Sequence, residues 1–350
     1  MTSSKENFDI TRLVRDNIRR MKPYSSARDE FKGEAEVFLD ANENPYPSPY
    51  NRYPDPLQWD IKKKLSAIKG VSPEQIFLGN GSDEAIDLLI RAFCEPNRDA
   101  ILITEPTYGM YAVCADVNAV AIKTALLTSD FDLNIDMLNS ALDPSVRLIF
   151  LCSPNNPTAA LLDTGKIEKV VRNFDGIVVI DEAYIDFASF PGWISRLKDF
   201  PNLVVLQTFS KAWGLAGLRC GMAYASADII SVLNKIKYPY NINVQTQELV
   251  LKALENELYK DKCVAEILGQ REVLAENLKN LERVEKVFHS DANFLLVKIR
   301  EAKKVYQYLM DRKIIVRDRS RVVLCDECLR ITVGTPEENK SLVEALASYS

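Results

Sequence analysis

Histidine is nearly absent from this sequence, since His289 is the only one among 350 residues. Metal sites built from several histidines are therefore excluded, and any Ser-His-Asp catalysis would depend on this one side chain. We expect His289 to be a surface or loop residue. The chemistry of the chain is then expected to use a different base.

The sequence also lacks long apolar runs and an excess of basic charge. No run approaches the length of a membrane span, and residues 1–16 lack the apolar segment of a secretory signal. The formal net charge of -5 argues against nucleic acid or an anionic membrane as the main partner. With 47% hydrophobic and 27% charged residues, the composition is that of a globular protein, which we expect in the cytoplasm.

Cysteine is sparse and scattered. Seven cysteines form an odd set in a long chain, which favours reduced thiols over a disulfide framework. Cys325 and Cys328 form one Cys-x-x-Cys pair. A zinc or redox site needs a second cysteine pair or a βαβ context beside it, and the sequence has neither. We therefore expect no metal site.

The chain begins with polar and irregular segments. Residues 1–30 form a predicted N-terminal arm with a helix over residues 7–21. Residues 38–56 are rich in Pro, Asn and Tyr, which predicts an ordered loop. A helix is predicted over residues 57–69, and its Lys62-Lys63-Lys64 run is expected to face solvent.

Short apolar runs then alternate with helical patterns. Continuous apolar strands separated by helices indicate a mostly parallel sheet covered on both faces. The predicted strands lie at residues 76–78, 100–103, 148–151, 177–180, 203–206 and 222–225.

The alternation ends near residue 245. A long helical region over residues 245–281 precedes strands and helices that predict a smaller α+β domain. The predicted division is an arm at 1–30, a large domain at 31–245 and a small domain at 246–350.

The residues that follow the predicted strands are rich in functional groups. They lie at residues 79–83, 105–108, 153–158, 181–184 and 208–211. Because ligands of open α/β sheets bind at the carboxyl ends of the strands, we expect these segments to meet at one edge. That edge would present a lysine, an aspartate, asparagines, tyrosines, serines and a glycine-rich helix start.

These residue types match the needs of pyridoxal phosphate. Its aldehyde needs a lysine amine, and its pyridine nitrogen needs an acidic partner to stay protonated. Its phosphate suits a helix N-terminus, hydroxyls and an arginine. Each residue alone has an ordinary explanation, such as a solvated lysine or a helix N-cap. Their joint occurrence at separate strand ends favours the cofactor.

The same segments carry a family resemblance. "SPNNPT" at 153–158, "DEAY" at 181–184 and Ser210-Lys211 with Arg219 resemble the fold-type I pyridoxal-phosphate aminotransferases. "DANENPYP", "NRYPDP", "GNGSDEAIDLL", "EPTYGMY", "IIVRD" and "LRITVGT" resemble the histidinol-phosphate aminotransferase family in particular. The resemblance implies an α/β large domain with a mostly parallel seven-stranded sheet flanked by helices, and a smaller α+β domain.

The resemblance also implies roles at the cofactor ring. Lys211 would bond to the aldehyde and act as the general base. Asp181 would hold the pyridinium proton. Tyr184 and Asn156 would hydrogen-bond the phenolic oxygen, and Tyr108 would stack on the ring.

A second group of residues is implied at the cofactor phosphate. The backbone amides of Ser82 and Asp83, the hydroxyl of Ser210 and the guanidinium of Arg219 would bind it. Tyr53 would reach the phosphate from the neighbouring subunit, which implies a homodimer with shared active sites.

The substrate site is implied to contain four further residues. Arg330 would bind the glutamate carboxylate and, in the other half-reaction, the substrate phosphate. Arg317, Tyr24 and Asn44 would line the same site. The implied reaction converts L-histidinol phosphate and 2-oxoglutarate to imidazole-acetol phosphate and L-glutamate, a step of histidine biosynthesis.

Two alternatives and one departure remain. A lyase similar to threonine-phosphate decarboxylase, or an aromatic or broad-specificity aminotransferase, would share nearly all of these motifs. The departure is Ala159, where the family pattern after Asn-Pro-Thr usually has glycine. A positive φ there would strain alanine, so we expect the following helix to begin at this position instead.

Overall fold

The structure, a computed structural model of the chain, describes residues 8–24 and 36–349. In place of the predicted helix over residues 7–21 it has a 3-10 turn at Ile10–Arg12 and helix α1 at Asp16–Arg20. Their side chains Ile10 and Ile18 are buried in an apolar cluster that also contains residues of the larger sheet. The predicted arm at residues 1–7 and 25–30 lies outside the described residues.

A seven-stranded sheet forms the centre of the molecule. Its strands are β1 Ile76–Asn80, β2 Ala100–Glu105, β3 Ala121–Leu126, β4 Val146–Cys152, β5 Ile177–Asp181, β6 Leu203–Thr208 and β7 Cys220–Tyr224. Their order is β1-β7-β6-β5-β4-β2-β3. Six of these strands run in the same direction, and β7 runs in the opposite direction. The prediction of a mostly parallel seven-stranded sheet is confirmed.

The helices around this sheet explain its sequence pattern. They are α2 Trp59–Lys69, α3 Gly81–Phe93, α4 Met110–Val117, α5 Ile135–Ala141, α6 Thr164–Asn173 and α7 Ala227–Ile236. Strands β5 and β6 are buried along their whole length, which explains their continuous apolar runs. Strand β3 was not predicted, because it is an edge strand with several exposed positions and a mixed sequence.

A smaller antiparallel sheet follows two helices. The elements are α8 Val244–Leu254, α9 Glu257–Lys279, β8 Val284–Val287, β9 Phe294–Ile299, α10 Ala302–Asp311, β10 Arg317–Asp318, β11 Cys328–Thr332 and α11 Pro336–Ala347. The strand order is β10-β11-β9-β8. The predicted single helical region is thus divided at Glu255 and Asn256, and β8 was not predicted. The domain limits themselves stay predictions.

The predicted exposure of Lys62 is wrong. Its side chain is only 2% exposed, whereas Lys63 and Lys64 face solvent. Lys62 lies beside the buried Ile61 of α2, and its Nζ is 5.4 Å from the ring centroid of Trp59. Burial, and secondarily the charge of Lys237, lowers the pKa of Lys62 to about 8.

The predicted helix start at Ala159 is also wrong. Helix α6 begins at Thr164, with the Asp163 side chain as its cap. Ala159 has a φ of 64° and no exposed surface. Its backbone N–H donates to the carbonyl of Asn155 at 2.7 Å, and its carbonyl accepts from the N–H of Asp291 at 2.8 Å. The chain therefore turns here in the left-handed conformation that favours glycine.

None of the helices in the described ranges combines the length and apolar character that crossing a bilayer requires.

Candidate active site

The carboxyl ends of β1, β2, β4, β5 and β6 meet at a cavity of about 690 Å³, to which β10 and β11 of the smaller sheet also contribute. The shared strand direction brings together segments that are up to about 130 residues apart in sequence. Predicted residues that line the cavity are Ser82, Asp83, Tyr108, Asn156, Asp181, Tyr184, Ser210, Lys211, Arg219, Arg317 and Arg330.

Asp181 lies at the deep end of this cavity, as the last residue of β5. Its Oδ2 accepts a hydrogen bond of 2.7 Å from the hydroxyl of Tyr111, and its Oδ1 accepts one of 3.1 Å from the N–H of Ala183. Burial raises the pKa of the Asp181 carboxyl, although these hydrogen bonds oppose the change. A buried carboxylate of this kind favours a cationic ring nitrogen as its partner.

Lys211 follows β6 and lines the same cavity. The side chain is half-buried, and its Nζ lies 5.5 Å from the ring centroid of Tyr184. Burial, followed by the charge of Arg330, lowers the pKa of Lys211. A lowered pKa increases the fraction of neutral amine, which is the form that attacks an aldehyde or accepts a proton.

The N-terminus of α3 forms an anion-binding corner together with Arg219. The Arg219 guanidinium donates to Ser210 Oγ at 3.4 Å and lies 3.5 Å from Asp83 Oδ2. A methyl group at Gly81, which has a φ of +70°, would come within 2.8 Å of Arg219 Nη2. Similarly, a methyl group at Gly221 would come within 2.2 Å of the backbone nitrogen of Ser82. These glycines therefore let the two chain segments approach closely enough to surround a phosphate.

Arg330 joins the smaller sheet to the larger one. Its Nη1 donates to Asn156 Oδ1 at 2.6 Å, and Asn156 Nδ2 donates to the hydroxyl of Tyr184 at 3.4 Å. Burial lowers the pKa of Arg330. These contacts place the Arg330 guanidinium next to Asn156 and Tyr184, whose side chains can donate to a phenolic oxygen.

Tyr108 also lines the cavity. Its hydroxyl donates to Asp83 Oδ1 at 3.1 Å, and its ring meets that of Tyr111 edge-on, with centroids 5.6 Å apart. Burial raises the pKa of Tyr108, so its hydroxyl stays protonated.

Three predicted residues do not line this cavity. Tyr53 borders a second cavity of about 560 Å³, where its ring stacks on that of Tyr240 at 4.4 Å. Tyr24 is 72% exposed. Asn44 is exposed, and its side chain accepts a hydrogen bond from the N–H of Tyr46 at 3.0 Å. A single chain therefore does not assemble the whole predicted set.

Two residues of this site were missed by the sequence analysis. Tyr111, the partner of Asp181, lies three positions after Tyr108, and its aromatic character alone indicates only a core residue. Arg319 lines the cavity together with Arg317 and Arg330. Its position two residues after Arg317 could have indicated it, because alternate residues of an extended segment share a face.

The residues of the cavity fit pyridoxal phosphate. An amine, a buried carboxylate, two donors for a phenolic oxygen and an anion-binding corner are the groups that this cofactor requires.

Within the described ranges, no group of three or more His, Cys, Asp or Glu side chains could hold a metal ion. Cys325 and Cys328 are buried free thiols, and burial raises their pKa values to about 11 and about 12. The His289 side chain is 82% exposed, as predicted.

Comparisons with known proteins agree with this fold. Residues 33–346 match the family described as aminotransferase class I and II. A histidinol-phosphate aminotransferase of Cytophaga hutchinsonii is 55% identical over 98% of this chain and 99% of its own length. One of Parabacteroides distasonis is 55% identical over 97% of this chain and 98% of its own.

A solved structure extends the comparison of the fold. Histidinol-phosphate aminotransferase of Sinorhizobium meliloti in complex with pyridoxal-5'-phosphate has a TM-score of 0.78, with 24% identity and 88% of each chain covered. The chain belongs to the class I and II aminotransferase family, in which it is similar to the histidinol-phosphate aminotransferases.

Proposed function

We propose that this chain is a pyridoxal-phosphate-dependent transaminase that converts L-histidinol phosphate and 2-oxoglutarate to imidazole-acetol phosphate and L-glutamate in histidine biosynthesis. The observation that carries the proposal is the convergence of Lys211, Asp181 and the arginines Arg317 and Arg330 on one cavity. The amine and the carboxylate suit the cofactor, and the arginines suit an anionic substrate. The names of the near-full-length relatives support the same substrate.

Lys211 carries the proton transfer in this proposal. Pyridoxal phosphate, when bound, supplies an aldehyde that condenses with amines and a protonated ring that withdraws electrons from the substrate carbon. Lys211 Nζ would accept the proton released from that carbon and donate it to the carbon of the former aldehyde, on the same side of the cavity. The lowered pKa of Lys211 supports this role, because the amine must be neutral to accept a proton.

Asp181 and its neighbours orient the ring in this proposal. The buried carboxylate of Asp181 holds the ring proton, and Tyr184 and Asn156 donate to the phenolic oxygen. Tyr108 covers one face of the ring. These side chains also exclude water from the deep end of the cavity, which strengthens each electrostatic contact.

The remaining residues bind anions. The backbone amides of Ser82 and Asp83, with Ser210 and Arg219, hold the cofactor phosphate at the N-terminus of α3.

The substrate anion binds to Arg317 and Arg330. One site must accept the carboxylate of glutamate in one half-reaction and a phosphate monoester in the other, and a guanidinium fork binds either.

A homodimer with shared active sites completes the proposal. Tyr53 contributes to the cofactor phosphate of the neighbouring subunit, and Tyr24 and Asn44 complete the substrate site. The exposed positions of these three side chains away from their own cavity support the idea. We also propose a cytoplasmic location.

Steady-state assays with three candidate substrates test the proposal. The purified protein with pyridoxal phosphate and 2-oxoglutarate should form glutamate from L-histidinol phosphate without releasing carbon dioxide. Release of carbon dioxide from threonine phosphate would favour the lyase, and a response to aromatic amino acids alone would favour the other aminotransferase.

A variant pair links this activity to the site. Lys211→Ala should lower turnover by at least about 100-fold, because the amine and the general base are both lost. Lys198→Ala, which removes an exposed lysine outside the cavity, should retain full turnover. Normal transamination by Lys211→Ala would contradict the mechanism.

A further inference from the structure

Three arginines lie on one face of the β10–β11 pair. Arg317 of β10 is directly opposite Arg330 of β11 in the antiparallel register. Arg319 is two residues after Arg317, and its backbone N–H donates to the carbonyl of Cys328 at 2.9 Å. Since alternate residues of an extended segment share a face, Arg319 continues the row that Arg317 and Arg330 begin. All three line the cavity.

This arginine cluster has no acidic partner in the part of the chain that the structure describes. The nearest acidic side chain along the chain, Asp318, accepts hydrogen bonds from the N–H and hydroxyl of Ser320 at 2.8 and 2.6 Å. Arg319 Nε is buried and has no hydrogen-bond acceptor. Burial, followed by the charges of Arg330 and Arg317, lowers the pKa of Arg319. An anion in the cavity would offset the repulsion among the three guanidinium groups.

The two substrates of the proposed reaction present different anions to this cluster. A carboxylate has one negative charge and two oxygens, which one or two guanidinium groups satisfy. A phosphate monoester has nearly two charges at neutral pH and three free oxygens. The third oxygen and the second charge suit a further guanidinium group, and Arg319 is the third arginine that lines the cavity.

We propose that Arg319 is a specificity-determining residue that binds the phosphate of a phosphate-monoester substrate and contributes little to binding of the dicarboxylic amino acid. The inference rests on the proposed function, and it names the residue by which the site distinguishes its two substrates. Arg330 and Arg317 serve both half-reactions, whereas Arg319 serves one.

The test measures each half-reaction separately in the intact holoenzyme. In Arg319→Gln, the KM for L-histidinol phosphate should rise about 10- to 100-fold, because a charge-assisted hydrogen bond is lost. The KM for glutamate and the limiting rates with both substrates should change less than about threefold. Arg319→Lys keeps the charge without the planar fork, so it should restore part of the affinity for histidinol phosphate.

Arg321→Gln is the matched control. Arg321 is two residues further along, is exposed and does not line the cavity, so its loss should leave both KM values unchanged. Unchanged kinetics in Arg319→Gln would overturn the inference. Equal loss of both half-reactions in that variant would also overturn it, since a purely structural role does not distinguish the substrates.

A different result is expected if histidinol phosphate is not a substrate. In that case the unaltered enzyme reacts with glutamate and does not react with histidinol phosphate. Inorganic phosphate then serves as the probe, through its competition with glutamate in the holoenzyme. The inference stands if Arg319→Gln weakens this competition about tenfold, and it is overturned if the competition is the same in both proteins.

Discussion

Tyr111 donates a hydrogen bond of 2.7 Å to Asp181, and both side chains are buried. The Tyr111 ring also stacks on Phe150 of the interior strand β4, with centroids 4.9 Å apart. Asp181 is therefore held by a side chain that is itself fixed by the core of the sheet. This arrangement restricts the carboxylate to one orientation, which favours a single position for the ring nitrogen of the cofactor.

Removing that hydroxyl should weaken cofactor binding. In Tyr111→Phe, Asp181 retains only the Ala183 amide as a described donor, and the pKa of its carboxyl should rise further. We expect the Kd for pyridoxal phosphate, measured by titration of the apoenzyme, to increase about tenfold. The control Tyr224→Phe removes another buried hydroxyl, which contacts Met222. It should leave the Kd unchanged, and equal effects of both variants would contradict the role of Tyr111.

Ala159 should tolerate glycine and reject a branched residue. Glycine relieves the strain of a φ of 64°, worth about 1–2 kcal/mol, but it removes a buried methyl group and adds chain entropy to the unfolded state. The free energy of unfolding of Ala159→Gly should therefore change by less than about 1 kcal/mol. Ala159→Val should lose more than about 2 kcal/mol, because a β-branched side chain is more strained there. Denaturant unfolding measures both, and the reverse order would contradict the assigned backbone conformation.

Lys62 should make stability depend on pH in the alkaline range. Its pKa is about 8 in the folded state and 10.5 when unperturbed, so the unfolded chain binds more protons between these values. Stability should therefore rise with pH from about 8 to about 10.5 and stay lower below that range. At pH 7, Lys62→Met should raise the free energy of unfolding of the apoprotein by about 1–3 kcal/mol, and the gain should shrink by pH 10.

The neighbouring lysine provides the control for this pH effect. Lys63 is exposed and forms an ion pair of 3.3 Å with Asp60. Lys63→Met should change stability by less than about 0.5 kcal/mol at both pH values. A gain in Lys62→Met that does not vary with pH would contradict the burial of a charged amine.

The shared active site of the proposed homodimer can be tested by mixing subunits. Tyr53→Phe and Arg219→Ala should each weaken binding of the cofactor phosphate, so we expect each variant alone to lose activity at limiting pyridoxal phosphate. If Tyr53 acts across the interface, mixed dimers contain one unaltered site, and random mixing should restore about a quarter of the full activity. Activity that stays at the level of the separate variants would mean that Tyr53 acts in its own subunit.

Most of the central fold and of the cofactor end of the cavity could be predicted from sequence. Strands β4, β5 and β6 are buried on both faces, so their apolar runs are continuous and easily recognised. The carboxyl ends of parallel strands share an edge, so their final residues could be grouped before the structure was known. This reasoning placed Asp181 and Lys211 together.

The remaining features depend on tertiary contacts that local sequence does not report. Lys62 belongs to a run of three lysines, and packing of its helix decides that this one is buried. Ala159 was expected to begin a helix because alanine is rarely found at positive φ. The sequence around Tyr111 contains nothing that distinguishes it from an aromatic residue of the core. Tyr53, Tyr24 and Asn44 do not line the cavity of their own chain, so their proposed roles depend on a second subunit.

A single half-reaction tests whether the Lys211–Asp181 site transfers the amino group of histidinol phosphate. The holoenzyme is mixed with L-histidinol phosphate without any acceptor, and its visible absorbance is followed. We expect loss of the absorbance of bound pyridoxal phosphate, with one equivalent each of pyridoxamine phosphate and imidazole-acetol phosphate and no carbon dioxide. Unchanged absorbance with histidinol phosphate, together with carbon dioxide release from threonine phosphate, would contradict it.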